Sequence, residues 1–444
     1  MKRFSLSLLA ASLALGLAAQ SASAQSLGDL YESARAYDAT FLSAKAQFDA
    51  NVAKVDQARA GLLPTIGFST TISRSDLNTL YSAAGASERF FGTRSYGVSA
   101  TQPLYRPGNL ATYNQGQKQL LAADASIQAA EQDLMVRLSQ AYFDVLASKD
   151  SLVLVRAQKA AVAEQLASAK RNFEVGTSTI TDTNEAQARF DLSGAQEIAA
   201  ENDVRVKQLA LDTLVGKPNV EPYVLKPASV LPSMQGQEMN KWVEASEQAH
   251  PAIRAAQIAV DVAQLENEKS RAGHKPTVDA SASLTNTTNF AGAATFNTDS
   301  RTSFGQIGVT MVIPLFAGFS TQNRLKETLA LEEKARIDLE STKRVVAQAT
   351  RAAYLGVVSG LSSVKAFEAA EKSSQSALDS NKLGYQVGVR INIDVLNAQS
   401  QLFQTKRDLA VARYNVLLGQ LKLRQANGTL KLEDFASINA LLSK

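Results

Sequence analysis

Phe173-Glu174-Val175-Gly176 … Ile180-Thr181-Asp182 returns further along the chain as Tyr385-Gln386-Val387-Gly388 … Asn392-Ile393-Asp394, and 394 − 182 gives an offset of 212 residues. The same offset carries Arg59-Ala60-Gly61 onto Arg271-Ala272-Gly273, Pro64-Thr65 onto Pro276-Thr277, and Tyr142 onto Tyr354. It also carries Ala186-Gln187 onto Ala398-Gln399 and Gly216 onto Gly428. Pro103-Leu104-Tyr105 meets Pro314-Leu315-Phe316 one residue out of register. Gly, Pro and aromatic residues recurring at one offset over so long a span mark an internal duplication. The two repeats are placed at residues 25–237 and 238–444, behind a leader of residues 1–24.

The leader has the build of a signal peptide. Lys2 and Arg3 supply the positive end, Phe4 to Ala19 the apolar run, and Ala22-Ser23-Ala24 a small-residue cleavage site before Gln25. The run is too short for a membrane anchor and contains three serines. An exported chain without cysteine has no disulfide framework, no thiolate metal site and no lipidated N-terminal cysteine. Behind the leader no apolar run is long enough to span a bilayer as a helix. A membrane role therefore has to come from β-strands.

Lys and Arg number 46 and Asp and Glu 42, for a net charge of +4. Losing Lys2 and Arg3 leaves about +2, which is nearly neutral. With no basic face interleaved with aromatics, nucleic acid is not the partner. Aromatics make up only 7% and there is a single Trp, which is thin for a compact core and suits elongated helical packing.

Each repeat reads as helix, strand, strand, long helix, glycine turn, helix. In the first, a helix is expected from about Leu27 to Ala60, stopped by Pro64. Ile66, Phe68, Thr70 and Ile72 then alternate with small or polar residues, as do Tyr96, Val98 and Ala100 before Pro103-Leu104. A period of two means strands with two different faces. The second repeat gives Val278, Ala280, Ala282 and Leu284, then Ile307, Val309, Met311, Ile313 and Leu315. The connections, about Asp76 to Thr93 and Asn286 to Thr302, have the Gly, Ser, Asn and Thr content of exposed loops.

A helix is expected from about Pro107 to Asn172. Its 3-4 pattern runs through Leu134, Leu138, Ala141, Val145, Ser148, Leu152, Val155, Lys159, Val162, Leu166, Ala169 and Phe173. Ile391, Val395, Ala398, Leu402, Thr405, Leu409, Ala412, Val416, Gly419 and Leu423 repeat it more cleanly. These are coiled-coil heptads rich in small residues. At 1.5 Å per residue the long helix spans about 100 Å, and the return from Asp182 to Val215 about 50 Å. Pro218, Pro222, Pro227 and Pro232 break the chain there, and a helix from about Glu238 to Ala272 covers the rest. One protomer is thus four helical columns with four strands at one end and a proline-rich belt midway.

Four strands do not close a barrel, because the smallest membrane barrels need eight and lipid tolerates no open edge. A dimer supplies eight strands and a trimer twelve. Eight columns about 10 Å apart leave a free radius of roughly 8 Å, and twelve leave roughly 14 Å. A water-filled lumen favours the trimer, and the residues alone leave both open.

The chain resembles the TolC-like outer-membrane channel proteins of efflux pumps and type I secretion systems. The resemblance covers the mature chain. It is carried most specifically by Gly384-Tyr385-Gln386-Val387-Gly388-Val389-Arg390 … Asp394-Val395-Leu396, by Ala412-Arg413-Tyr414-Asn415 and by Gly428-Thr429-Leu430. It implies a mainly α fold with a membrane β-barrel: a long α-helical coiled-coil barrel plus four strands per protomer, closing as a 12-strand barrel in a homotrimer. It also implies a passive duct completed by a periplasmic adaptor and an inner-membrane transporter of RND, ABC or MFS type.

By the same resemblance, Thr181 and Asp182 on the first hairpin and Tyr385 and Arg390 on the second are the links that hold the periplasmic end shut. A guanidinium bonds a carboxylate or carbonyl, and a phenol donates to the same carboxylate. Solvent-reached links of this kind are worth on the order of 1 kcal/mol each, so a partner can break them without unfolding the protein. Thr181 and Asp182 also suit plain helix capping. Asp394 is the constriction carboxylate, a ring of three under three-fold symmetry. Such a ring attracts cations. Asn397 stands where the best-known family members carry a second aspartate, so this pore should be less acidic unless Glu185 faces inward. Val175, Gly176, Val387 and Gly388 are candidate adaptor contacts, or simply glycine turns.

No glycine loop ahead of a Lys-Ser/Thr pair is present to bind a nucleotide phosphate. His250 and His274, each beside a helix end, read as surface residues rather than a metal pair, and no cofactor is expected. The competing readings are a periplasmic coiled-coil adaptor, which would lack the paired strands, and a soluble exported enzyme, for which no nucleophile motif is evident.

Overall fold

Proline and glycine set most of the element boundaries in this chain. The computed structural model describes residues 25–81, 85–226, 231, 234, 238–293 and 298–443; the leader peptide, Pro227 and Pro232 lie outside these. In order, the elements are α1 (Leu27–Tyr37), α2 (Ala39–Ala60), β1 (Thr65–Tyr81), β2 (Gly85–Tyr105), α3 (Pro107–Glu174) and α4 (Ile180–Val215). Next come β3 (Val224–Leu225), α5 (Met239–Ala249), α6 (Pro251–Ala272), β4 (Thr277–Phe290), β5 (Ser300–Val312), α7 (Ser320–Gln386), α8 (Asn392–Ala426), α9 (Glu433–Asn439) and β6 (Leu442–Ser443). The starts of α1, α2, β1 and α4 and those of α5, α6, β4 and α8 differ by the same 212 residues. Among the described residues no helix is long and apolar enough to cross a membrane. The described residues form two units, one within 46–126 and 254–342, the other within 25–45, 127–253 and 343–443.

The first unit holds a four-stranded antiparallel sheet in the order β1-β2-β4-β5. Directly paired residues share a face, and the register separates the two faces by chemistry. Ile66, Ala100, Ala282 and Ile307 form one row, with Phe68, Val98, Leu284 and Gly305 beside it. Between these rows, on the opposite face, lie Gly67, Ser99, Ser283 and Gln306. The apolar face is bare: Ile66 is 75% exposed and Ile307 90%. Water does not support such a surface, and lipid does. At the helical end of the sheet, Arg106 grips Asp279 through two hydrogen bonds of 2.8 and 2.6 Å. The adjoining helices are cross-tied by Gln115 to Glu266, Lys118 to Asp261 and Arg324 to Glu266.

The second unit is built around α1. Leu27, Leu30, Tyr31 and Ala34 pack with Leu134, Leu138, Tyr142 and Phe143 of α3, Leu211 of α4, Leu417 of α8 and Phe435 of α9. Phe143 stacks on Tyr414 at 5.9 Å, and Tyr31 meets Phe435 edge-on. The C-terminal β6 pairs with β3, Leu225 opposite Leu442. Two left-handed glycines close the returning helices. A Cβ on Gly216 (φ 72°) would lie 2.4 Å from the Tyr37 ring, and one on Gly428 (φ 78°) 2.4 Å from the His250 Cα.

The structure differs from the sequence reading at three places. The single helix expected over 27–60 is broken at Asp38, whose backbone is extended and whose Oδ2 accepts from Phe41 N at 2.8 Å, so it caps α2. Arg137 clamps the same carboxylate at 2.9 Å and holds it below the usual aspartate range. The helix expected over 238–272 is likewise broken at His250. A residue before proline is pushed out of the helical region, and Pro251 opens α6. The loops expected at 76–93 and 286–302 are mostly strand: β1 and β2 stay in register through Asp76↔Phe90 and Asn78↔Glu88, and β4 reaches Phe290. Main-chain pairing continues through these strand ends, supplemented by side-chain bonds such as Thr93 to Asn289 and Asn286 to Ser303.

Candidate functional site at the helix-hairpin tips

Two glycines make the tips. Gly176 (φ 76°) ends α3, with Gly176 N donating to Phe173 O at 3.0 Å and Thr177 N to Asn172 O at 2.8 Å. Gly388 (φ 80°) ends α7 in the same way, with Val389 N donating to Gly384 O at 2.8 Å. These are helix-terminating motifs that require a left-handed residue. Nothing lies within 4 Å of a Cβ built on either glycine, and Val175 and Val387 are 72% and 65% exposed. The tips are therefore open and apolar.

The helices that leave the tips start differently. At α4 the N-cap is Thr179: its Oγ1 accepts from Asp182 N at 3.2 Å, and Asp182 Oδ2 accepts from Thr179 N at 3.1 Å. Ser178 adds a bond of 2.7 Å to the same carboxylate oxygen. Burial works against the Asp182 charge, but the bonds from Ser178 and Thr179 outweigh it and hold the carboxyl below its ordinary range. Thr181 is exposed and takes no part in this capping box. At α8 the N-cap is Ile391, with no side-chain cap. Asp394, at the position matching Asp182, is left to Arg390, whose Nη1 lies 3.7 Å from its Oδ2.

A cleft of about 670 Å³ between the hairpins is lined by Asn172, Asp182, Tyr385, Arg390 and Asn392. It brings together three of the four expected gate residues. Tyr385 Oη accepts from Asn172 Nδ2 at 3.2 Å. A Cβ on Gly384 would lie 2.6 Å from Arg390 Cγ, so the bare glycine lets the arginine side chain cross the helix end. Asn397 is exposed and accepts from Arg189 Nη2 at 2.9 Å, while Glu185 is half-buried on α4.

Sequence reasoning missed Asn392, which is fully buried. It donates to the Asp182 carbonyl at 3.3 Å and accepts from Gln165, joining α3, α4 and α8. Its signal was a mismatch, since the equivalent position in the other half is Ile180. Arg189 was missed as well. Elsewhere, His250 is half-buried, its Nδ1 accepts from Ala252 N at 3.1 Å, and burial lowers its pKa; His274 is exposed.

The profile of the family described as outer membrane efflux protein matches residues 30–217 and again residues 242–429. The chain belongs to this family. It is 33% identical over 433 residues to outer membrane protein TolC of Vibrio cholerae serotype O1, covering 97% of this chain and 96% of that one. It is 27% identical to the proteases secretion protein PrtF of Dickeya chrysanthemi, with 96% and 93% coverage. The crystal structure of the outer membrane protein VceC of Vibrio cholerae superposes with a TM-score of 0.77 at 19% identity, covering 90% of this chain and 96% of that chain. The chain is thus an outer-membrane protein and not an enzyme.

Proposed function

We propose that the protein is the outer-membrane exit duct of a tripartite efflux pump or type I secretion system, built as a homotrimer with a 12-strand barrel. One observation carries this reading: the four-stranded sheet has a bare apolar face, a polar face, and unpaired edges at β1 and β5. An open edge is not tolerated in lipid. Three copies close twelve strands around the polar face and leave the apolar face to the bilayer. The twofold profile match, offset by 212 residues (242 − 30), supports an internal duplication that gives the duct its pseudo-symmetry.

The hairpin tips are the gate and docking end of this duct. Tyr385 and Arg390 supply the breakable links, with Asp182 and Thr181 of a neighbouring hairpin as acceptors. Asp394 and Asn397 line the constriction. The exposed apolar tips at Val175, Gly176, Val387 and Gly388 receive a periplasmic adaptor, which connects the duct to an inner-membrane transporter of RND, ABC or MFS type. Selectivity for cargo lies with that transporter.

Two measurements test the reading. The mass of the detergent-solubilised protein should be three times that of the chain; a mass of two chains overturns the trimer. In planar bilayers the wild type should pass a small current that rises clearly in a Tyr385→Phe, Arg390→Ser double variant. Equal currents would keep the duct and remove these residues from the gate.

A further inference from the structure

Toward the β-hairpin ends the apolar face of the sheet gives way to rows in which arginines stand beside Ile72 and Phe290. Beyond the row of Phe68, Val98 and Leu284 lies one of Thr70, Tyr96, Asn286 and Ser303; the next pairs Ile72 with Arg94 and Thr288 with Arg301, and Arg74 stands one row further, with Gly92 and Phe290. All three arginines lie on the face that carries Ile66, Phe68 and Ile307, and all three are exposed. The Arg94 guanidinium lies over the Phe290 ring at 5.7 Å. Arg301 donates to Tyr96 Oη at 3.4 Å and to Asn286 Oδ1 at 3.3 Å. None of the three forms an ion pair with a carboxylate among the described residues, and the nearest acid on this face, Asp76, sits in the row beyond Arg74.

From this placement we infer a binding site for the phosphate groups of an outer-leaflet lipid, formed by Arg74, Arg94 and Arg301. The inference rests on the barrel reading above. The helices join the sheet at its other end, beside Thr65, Tyr105, Thr277 and Val312, and carry the exposed pair Phe316 and Phe319 there. Ile72 is seven residues beyond Thr65, about 23 Å along the strand, which places the arginine row at the far rim of an apolar band bounded by aromatic residues at both ends. Guanidinium groups with unspent donors, held by Phe290, Tyr96 and Asn286 just above such a band, match a layer of phosphates whose acyl chains cover Phe68, Val98 and Leu284. A soluble anion would gain nothing from that continuity.

The test uses the full-length protein in nanodiscs containing either bis-phosphorylated lipid A or the same lipid with its phosphates removed. Wild type is compared with an Arg74→Gln, Arg94→Gln, Arg301→Gln variant, and retained lipid is counted by native mass spectrometry. Wild type should hold the phosphorylated lipid at least about tenfold better than the variant, with no difference for the dephosphorylated lipid. Equal retention of the phosphorylated lipid overturns the inference, as does complete displacement by inorganic phosphate, which would mark a free-anion site. Protease protection of the strands in the same discs separates the two readings. If both proteins insert and retain lipid equally, only the lipid site falls; if wild type does not insert, the barrel falls with it.

Discussion

Asn392 Nδ2 donates to the main-chain carbonyl of Asp182 at 3.3 Å, from a position with no exposed surface, and so ties the first residues of α8 to the first turn of α4. Gln165 donates to the same amide from α3. Replacing Asn392 with the isoleucine found at the equivalent position 180 leaves the Gln165 amide and the Asp182 carbonyl without their partner. A buried polar group left unpaired costs about 1–3 kcal/mol. We expect Asn392→Ile to lower the thermal midpoint and to speed amide exchange across residues 180–186. Unchanged exchange there would show that the two hairpins are held together by apolar packing alone.

Asp182 and Asp394 occupy matching positions but have different work, and variants should separate them. Asp182→Ala removes a capping box and should cost about 1 kcal/mol. Asp394→Ala removes one exposed ion pair and should change stability by less than about 0.5 kcal/mol. Asp182 also predicts a pH effect. Its folded pKa is depressed by the Ser178 and Thr179 bonds, so its contribution is full above the unfolded value of about 3.9 and is lost as the pH falls through the folded value. The stability gap between wild type and Asp182→Ala should therefore close in acid. A gap that persists at low pH would contradict this assignment.

The glycines offer a graded series. Alanine at Gly176 meets only the left-handed backbone, a cost of about 1–2 kcal/mol, because nothing lies within 4 Å of its Cβ. At Gly216 the Cβ also strikes the Tyr37 ring, which can rotate aside in part. At Gly428 it strikes the backbone of His250, which cannot move without disturbing the start of α6. Thermal midpoints should fall in the order Gly176→Ala, Gly216→Ala, Gly428→Ala, the last the most damaging. Equal losses at all three would mean that backbone strain alone decides.

The long helices and apolar strand segments are legible in the sequence because their signals are local. Pro64, Pro107 and Pro276 mark boundaries, and period two is strong from Ile66 to Ile72. The breaks at Asp38 and His250 are harder to see, although Pro251 announces the second; at Asp38 the deciding partner, Arg137, is 99 residues away. The strand ends beyond Ile72 look like loops because polar residues and glycines interrupt the alternation there, leaving Leu77, Phe90 and Phe91 without a regular period of two. Within the tips, Tyr385 and Arg390 line the cleft. Asn392, Gln165 and Arg189 act only through partners on other helices, and spacing along one helix carries no trace of them. The departure of Asn392 from Ile180 is the one available clue.

The Arg189–Asn397 bond decides what restoring the acidic residue would do. Arg189 Nη2 lies 2.9 Å from Asn397 Oδ1, so an aspartate at 397 would face a guanidinium already in place. The new charge would be spent locally, in an ion pair formed where solvent reaches both groups. Asn397→Asp alone should therefore leave cation preference, read as the reversal potential under a KCl gradient, close to that of wild type. Arg189→Ala alone should raise it modestly by unmasking the field of Asp394, itself partly offset by Arg390 at 3.7 Å. The double variant should raise it most, by more than the sum of the single effects, since each substitution hides the consequence of the other. A full shift from Asn397→Asp alone would mean that Arg189 does not face the ion path and that Asn397 lines the constriction unaccompanied.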